Sequence, residues 1–348
     1  MDKNKLMQKK ERIQWIDYAR AIGIFLIIIG HTYQQAGFLQ NLIFAVNVPI
    51  FFVLSGYLTK PQSIKRIIKK DVYTLLIPYL VATLLMFIIS FIRYFVHIPL
   101  VNYQSTWYHY LLAGIFGMGT DTVFFNKNIP AIGAIWFLLA MYFGNIFYQI
   151  LLLLAQKINN KNCKNTFLFL SSLIIALLSF FISKKYIFPW SINAALISVF
   201  FYTIGHLIKE YNLLDKNYLF FIGLILWLIN AYITPFWLNI GYTKNILITL
   251  LGTIGGSYAV MFICQKINQH NIKWLSDFGR YSMIALIFHV ICINCFGDVN
   301  FISEVLKHLG TNIVLVELLI NSYRIILCVL ITNWLAKNKI IRKIFAIR

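Results

Sequence analysis

The stretch Trp15–His31 places three ionisable side chains, Asp17, Arg20 and His31, in an otherwise apolar segment. Placing an ionisable group in the apolar interior of a membrane costs free energy, so such groups are usually either paired with one another or part of a functional site. If the segment is helical, Arg20 and His31 lie on nearly one face and about 16 Å apart along the axis. A guanidinium suits a phosphate group, and a neutral imidazole accepts a hydroxyl proton or attacks a thioester. The spacing therefore fits a long ligand held at one end and reacting at the other.

Each of these residues also has a structural interpretation. His31 could be a hydrogen-bonded residue of a helix bundle, and Arg20 could pair with Asp17 three residues earlier or reach toward the membrane surface. A basic cluster, Lys65, Arg66, Lys69 and Lys70, precedes the third apolar segment. The plain interpretation is the excess of positive charge that commonly lies next to the cytoplasmic end of a membrane span. The alternative is that these residues bind a phosphate group.

Polar residues also occur late in the chain. Glu317, Asn321 and Arg324 form a stripe on one face of the last apolar segment. We expect the two charges either to neutralise each other or to pair with another span, in a structural or cavity-lining role. His206 and His289 are single histidines in apolar segments, for which a satisfied position in the core is the plainer interpretation.

The region from about 96 to 130 is rich in aromatic residues, among them Trp107 and Tyr108, with His109 and Asp121 as polar neighbours. The plain interpretation is an aromatic belt at the membrane surface. The alternative is a platform that binds a sugar acceptor, since apolar sugar faces pack on aromatic rings.

Composition identifies the elements that must position these groups. The chain has 348 residues, of which 60% are hydrophobic and 12% charged, and its mean hydropathy is +0.74. Repeated apolar runs of membrane-spanning length predict an all-α polytopic membrane protein. They argue against a β-barrel, whose strands alternate apolar and polar residues. We predict about ten spans in a single domain over 1–348, at approximately 16–34, 42–59, 72–95, 131–155, 166–183, 191–208, 218–234, 243–264, 281–297 and 312–336. Pro49 and Pro78 should kink or break the second and third spans, which hints that the first three spans build the site.

The net charge of +20 does not indicate nucleic-acid binding, because the charges alternate between loops. Of the 31 Lys and Arg residues, 23 lie before the first span, after the last, or in every second loop. This bias predicts that both termini are cytoplasmic, including basic tails at 1–15 and 337–348, which can rest on membrane lipids. We interpret the N-terminus as an uncleaved first helix.

The motifs exclude several classes of enzyme. The sequence has no HExxH and no Walker-type loop, so we expect no metal site and no nucleotide hydrolase. Cys292 and Cys295 form a CxxC, but a single pair inside an apolar segment is a weak metal signal.

Taken together, these motifs resemble acyltransferase family 3. The resemblance includes Arg20 and His31 with ten residues between them, NVPIFFVLSGYL with Ser55, IWFLLAMYF with Trp136, and FGRYSMIALIFHV with Ser282 and His289. The first stretch is most similar to the branch of fucose 4-O-acetylase-like acetyltransferases. The resemblance implies a ten-helix bundle, a cytoplasmic acyl-CoA donor, a glycan hydroxyl as acceptor, and His31 and Arg20 as the essential pair. Many members carry Arg-x-x-Arg in the first cytoplasmic loop, where this chain has Arg66 and Lys69.

The sequence, read together with this resemblance, therefore predicts a multi-pass O-acetyltransferase of the cell (inner) membrane. The resemblance implies that it uses acetyl-CoA as a substrate, and we expect no tightly bound cofactor. Its acceptor would be a cell-surface polysaccharide or a lipid-linked precursor. The alternatives are a glycan exporter of related architecture and an acyltransferase for a small molecule. The sequence leaves open direct attack or an acyl-histidine intermediate, and also the oligomeric state.

Overall fold

The computed structural model describes residues 12–32, 37–124, 126–308 and 310–345. Within them the chain is mostly helical, as predicted. Its helices are α1 (Gln14–Thr32), α2 (Phe38–Phe44), α3 (Pro49–Leu58), α4 (Ile64–Asp71), α5 (Ile77–Phe95), α6 (His109–Phe116), α7 (Trp136–Ala155), α8 (Lys161–Ser183), α9 (Ile192–Glu210), α10 (Asn217–Ile233), α11 (Ile246–Ile267), α12 (Lys273–Arg280), α13 (Ser282–Cys295), α14 (Asp298–His308), α15 (Ile313–Leu335) and α16 (Lys339–Ile344).

Two short antiparallel hairpins complete the described fold. Strands β1 (Thr122–Phe124) and β2 (Lys127–Ile129) pair with Thr122 opposite Ile129. Strands β3 (Phe236–Trp237) and β4 (Tyr242–Thr243) pair with Phe236 opposite Thr243. Both hairpins lie in connections between helices, and Phe236 of β3 packs into an apolar core that is built mainly from helices.

The ten predicted spans all coincide with helical segments, but they differ in length. Eight helical segments of the described chain are long and apolar enough to cross a membrane, and the bent pair α12 and α13 makes a ninth. Helix α10 is apolar but has only 17 residues. Both sequence and structure therefore describe a polytopic helical membrane protein. The predicted tails lie partly outside the described residues, since the structure describes neither 1–11 nor 346–348.

Three of the predicted spans depart from a regular α-helix, two of them beside the predicted prolines. A turn at 45–48 separates α2 from α3, and Pro49 occupies the first turn of α3, where its missing N–H costs nothing. A π-helical segment, Val72–Leu76, precedes α5, which has Pro78 in its first turn. The third break lies at Tyr281, where α12 and α13 meet at 68°. The sequence did not predict that bend, because it placed the start of the ninth span at the break itself.

Asparagine side chains define where several helices begin. Asn160, Asn245, Asn312 and Asn338 each accept a hydrogen bond from a backbone N–H of the first turn of the helix that follows. Such caps satisfy donors that no earlier turn can pair. They fix α8, α11, α15 and α16 in register with the connecting loops.

Several helices of the bundle pack closely in pairs. Helix α3 lies along α9, and α10 lies along α11. A side chain added at Gly205 would overlap the backbone oxygen of Val53, and one added at Gly56 would overlap that of Tyr202. Helix α1 packs most extensively against α12 and α11, and also against α2, α3, α13 and α15. Helices from both ends of the chain therefore surround the helix that carries Arg20 and His31.

Candidate active site

Helix α1 carries both predicted catalytic residues. Arg20 lies in its second turn and His31 in its last turn. The helix is continuous between them, which confirms that the two residues are spaced along one rigid element. One end of α1 therefore presents a guanidinium and the other an imidazole.

At the N-terminal end of α1, Asp17 holds two arginines. Its carboxylate is 1% exposed and accepts hydrogen bonds from Arg12 Nε and from Arg20 Nη1, the latter at 3.3 Å. The Arg20 side chain remains 36% exposed. Pairing orients the guanidinium without burying it, so donor groups of Arg20 stay free for an anion.

Helix α12 fixes this end of α1. Gly279 lies directly on the backbone oxygen of Asp17, where no side chain would fit. The ring of Phe278 stacks on Phe25 with centroids 4.8 Å apart, and Tyr18 accepts a hydrogen bond from the backbone N–H of Ile272 at 2.7 Å. The bend after α12 thus brings a short helix against the turn that carries Asp17 and Arg20.

At the C-terminal end of α1, His31 is exposed even though rings flank it on two sides. The Phe44 ring is 6.2 Å away between centroids, and the His289 ring is 6.0 Å away. A histidine that is both flanked by other helices and accessible is placed to meet a substrate.

His289 does not fit the interpretation as a satisfied core residue. It is 2% exposed, and its Nε2 has no hydrogen-bond partner among the described residues. An unpaired buried polar atom costs about 1–3 kcal/mol. Because His289 lies beside His31, a bound substrate could supply the missing hydrogen-bond partner of this Nε2.

The polar stripe of α15 is also arranged differently from either expectation. Arg324 is 3% exposed, and its Nη2 donates to Asp298 Oδ1 at 2.8 Å rather than to Glu317 or to another span. Tyr323 donates to the other oxygen of Asp298 at 3.2 Å. Asp298 begins α14, a helix that lies between two predicted spans, and we did not select it from the sequence. The sequence feature that could have identified Asp298 is the position of an acidic residue just after the apolar helix α13.

The rest of this stripe links α15 to α1. Asn321 Nδ2 donates to the backbone oxygen of Glu317 at 2.8 Å, and Asn321 Oδ1 accepts a hydrogen bond from Thr32. Thr32 is the residue after His31. The stripe therefore supports the end of α1 at which His31 lies.

The predicted basic cluster lies on α4, where Lys65, Arg66, Lys69 and Lys70 are all exposed. Lys70 pairs with the buried Asp71 at 3.3 Å. Within residues 12–32 and 64–71, no ion pair or hydrogen bond joins this cluster to Arg20. The cluster is open to a ligand, but α4 packs on α7 rather than on α1.

Three residues of the resemblance motifs take different positions. Ser282 is half-buried and is the first residue of α13, at the bend. Ser55 is half-buried on α3, and Trp136 is a buried residue that begins α7. Among the hydrogen bonds and ring contacts of the described chain, none joins Ser55 or Trp136 to His31.

The aromatic outer region folds back on its own span. The Trp107 ring meets Phe91 of α5 edge to face at 5.9 Å, and Tyr108 lies against Trp107 at 5.3 Å. Asp121 accepts a hydrogen bond from the backbone N–H of Ala131 at 2.7 Å. His109 lies edge to face with Tyr110 at 4.8 Å, and burial lowers the pKa of His109, with Asp121 opposing the shift.

No group of three or more His, Cys, Asp or Glu within the described residues could hold a metal ion. The site offers an accessible imidazole, a second imidazole beside it, and guanidinium groups. This set suits the binding of an anionic ligand and proton transfer at a hydroxyl or thiol.

Comparison with known proteins agrees with this set of groups. A family model described as an acyltransferase domain matches residues 13–333. No curated protein and no solved structure matches the chain. The match includes α1 at its start and all but the last few residues of α15 at its end.

Proposed function

The chain belongs to acyltransferase family 3, and from that membership we propose that it is an O-acetyltransferase with acetyl-CoA as its donor. The acceptor is a hydroxyl of a cell-surface polysaccharide or of its lipid-linked precursor. That the protein is a multi-pass membrane acyltransferase follows from the family and the helices. The donor, the acceptor and the location in the cell membrane belong to the proposal.

One observation carries it: a half-exposed arginine and an exposed histidine lie about 16 Å apart along one helix. Acetyl-CoA is a long molecule with phosphates at one end and a thioester at the other. Arg20 lies at the end of α1 that the charge pattern predicts to be cytoplasmic. It binds a phosphate there, while the extended arm runs along α1 and presents the thioester to His31.

The cluster on α4 contributes to the same step. Lys65, Arg66, Lys69 and Lys70 are exposed on the predicted cytoplasmic side. They attract the phosphates of the donor, and Arg66 offers the forked geometry that a phosphate prefers. Because α4 packs on α7, these residues act at the entrance and Arg20 acts deeper.

His31 then carries out the transfer. As a base, it accepts the proton of the acceptor hydroxyl, whose oxygen attacks the thioester carbon. The carbon–sulfur bond breaks, and the proton passes to the leaving sulfur, which gives free CoA. As a nucleophile, His31 would instead carry the acetyl group before the hydroxyl arrives. The exposed rings of Trp107 and Tyr108, with His109 and Asp121, are the proposed acceptor contacts.

The test compares acetyl transfer by the wild type with transfer by His31→Ala, Arg20→Ala and the control His206→Ala. Membranes from a gene-deletion strain of the host, complemented with each variant, receive radiolabelled acetyl-CoA, and label in the glycan fraction is counted. We expect His31→Ala to abolish transfer, Arg20→Ala to require more acetyl-CoA, and His206→Ala to behave as wild type. If His31→Ala leaves acetylation unchanged but prevents delivery of the glycan to the cell surface, the protein is an exporter. If the label appears in a small molecule and not in the glycan, the acceptor is that small molecule.

A second measurement separates the two roles of His31. Purified protein is mixed with radiolabelled acetyl-CoA in the absence of acceptor and then quenched. A burst of label on the protein, lost in His31→Ala, would support the acyl-histidine route. Label that stays at background would support direct attack.

A further inference from the structure

We propose that His289 is a second catalytic group, which donates a hydrogen bond from Nε2 to the carbonyl oxygen of the thioester. This inference rests on the proposed function, because it assumes that the thioester arrives at His31. It gives His289 a direct role in the reaction in place of structural support.

Two features of His289 point to a ligand. Its ring centroid is 6.0 Å from that of His31, so a group that reacts at His31 comes within reach of His289. Its Nε2 is buried and has no hydrogen-bond partner among the described residues. This unpaired atom lies beside the accessible histidine, where a substrate oxygen would satisfy it.

The neighbouring charges decide which form of the ring acts. Among the described residues, Arg324 and His31 are the basic neighbours of His289, and the carboxylate of Asp298 is already bound to Arg324. When His31 takes the hydroxyl proton it becomes positive. A positive His289 would then be repelled by both neighbours, so the neutral ring with a proton on Nε2 is the form that fits. The same positive surroundings favour negative charge on the substrate oxygen.

The step balances without another reactant. The acceptor oxygen bonds to the thioester carbon, its proton moves to His31, and the carbonyl electron pair moves onto the oxygen that His289 holds. The carbonyl then re-forms, the carbon–sulfur bond breaks, and the sulfur takes the proton from His31. His289 keeps its own proton throughout.

The expected effect is large. Removing one preorganised donor from such an oxyanion site lowers kcat by about 10²- to 10³-fold. Because the oxygen carries its charge only in the transition state, KM for acetyl-CoA should change little. A residue that served only to pack the helices would not separate the two constants in this way.

The experiment compares His289→Leu, His289→Gln and His289→Asn with wild type, and uses His206→Gln as the matched histidine control on α9. Protein in membranes of the complemented host is assayed for acetyl transfer over a range of acetyl-CoA concentrations. Leu should lower kcat by about 100-fold or more with KM within about threefold of wild type. Gln places an N–H close to the position of Nε2 and should exceed Leu by about tenfold, whereas Asn should not.

The outcomes separate the two proposals. A wild type that transfers no acetyl group to any fraction overturns both. An active wild type with His289→Leu within about threefold of its kcat overturns only the role of His289. If His289→Leu fails to fold, the comparison of Gln with Asn decides, and equal activity of these two variants overturns the donor role.

Discussion

The two ends of α1 hold their polar groups in different ways. At the N-terminal end, one buried carboxylate binds two arginines, and every member of the group is charged. At the C-terminal end, His31 faces a second histidine, and no carboxylate of the described chain forms an ion pair with either ring. The first arrangement suits the binding of a charged group. The second suits proton transfer, for which an imidazole must be free to change its charge.

The difference follows from the cost of charge in an apolar bundle. The guanidinium of Arg20 is partly accessible and compensated by Asp17, so it remains charged at low cost. A histidine within the bundle has no such requirement, because it can remain neutral until a proton arrives. If this comparison is correct, changes at the two ends should alter different kinetic constants.

The largest effect is expected from His31→Ala. Loss of a general acid–base group lowers kcat by about 10²- to 10⁴-fold, and loss of a nucleophile would lower it at least as far. Binding of acetyl-CoA should remain close to wild type, because its phosphates are held at the other end of α1. Steady-state transfer together with equilibrium binding of acetyl-CoA measures both. Loss of binding in His31→Ala would contradict the division between the ends.

Arg20→Ala should have the complementary effect. A charge-assisted hydrogen bond contributes about 1.5–3 kcal/mol, so KM for acetyl-CoA should rise about 10- to 100-fold while kcat changes much less. Arg20→Lys keeps the charge but not the fork, and it should recover part of the affinity. A titration of rate against acetyl-CoA for the three proteins tests this. Equal KM in all three would show that Arg20 does not contact the donor.

Asp17→Asn addresses how the N-terminal end is organised. Without the carboxylate, Arg20 loses the partner that orients it, and we expect KM for acetyl-CoA to rise about three- to tenfold, which corresponds to one hydrogen bond. The same titration measures it. A fall in KM would mean that Asp17 competes with the phosphate for Arg20.

The smallest effect is expected from Lys69→Arg. This change restores the Arg-x-x-Arg pattern of many family members on an exposed helix, where ion pairs contribute about 0–1 kcal/mol. KM for acetyl-CoA should fall about twofold, and the reverse change Arg66→Lys should raise it by a similar factor. Opposite signs for the two variants would indicate phosphate recognition by α4, whereas no change in either would make α4 an ordinary positive flank.

Local patterns were sufficient for much of the fold. Apolar runs indicated the helical membrane architecture, and the prolines marked the turn before α3 and the π-helical segment before α5, because both depend on neighbouring residues alone. The spacing of Arg20 and His31 gave the two ends of α1 for the same reason. These features are properties of single segments.

Contacts between segments that are distant in the sequence could not be predicted from such local patterns. The ring of His31 lies beside that of His289, which is 258 positions away in the sequence. Arg324 binds Asp298 and not Glu317, although Glu317 is nearer in the sequence. Helical periodicity shows which face of a segment is polar, but not which helix that face will meet. The bend at Tyr281 was missed because neither proline nor an unusual glycine pattern marks it, and because the basic residues of α12 resembled a loop.

The origin of the site in both ends of the chain has a consequence for biosynthesis. Helix α1 enters the membrane first, whereas His289 and Arg324 leave the ribosome only when the chain is nearly finished. A nascent chain that stops before α13 carries Arg20 and His31 but lacks α13 and α15, which bring His289 and Arg324 to the site. The transfer site therefore forms late in translation, and a truncated product would insert into the bilayer without gaining the activity of the complete protein.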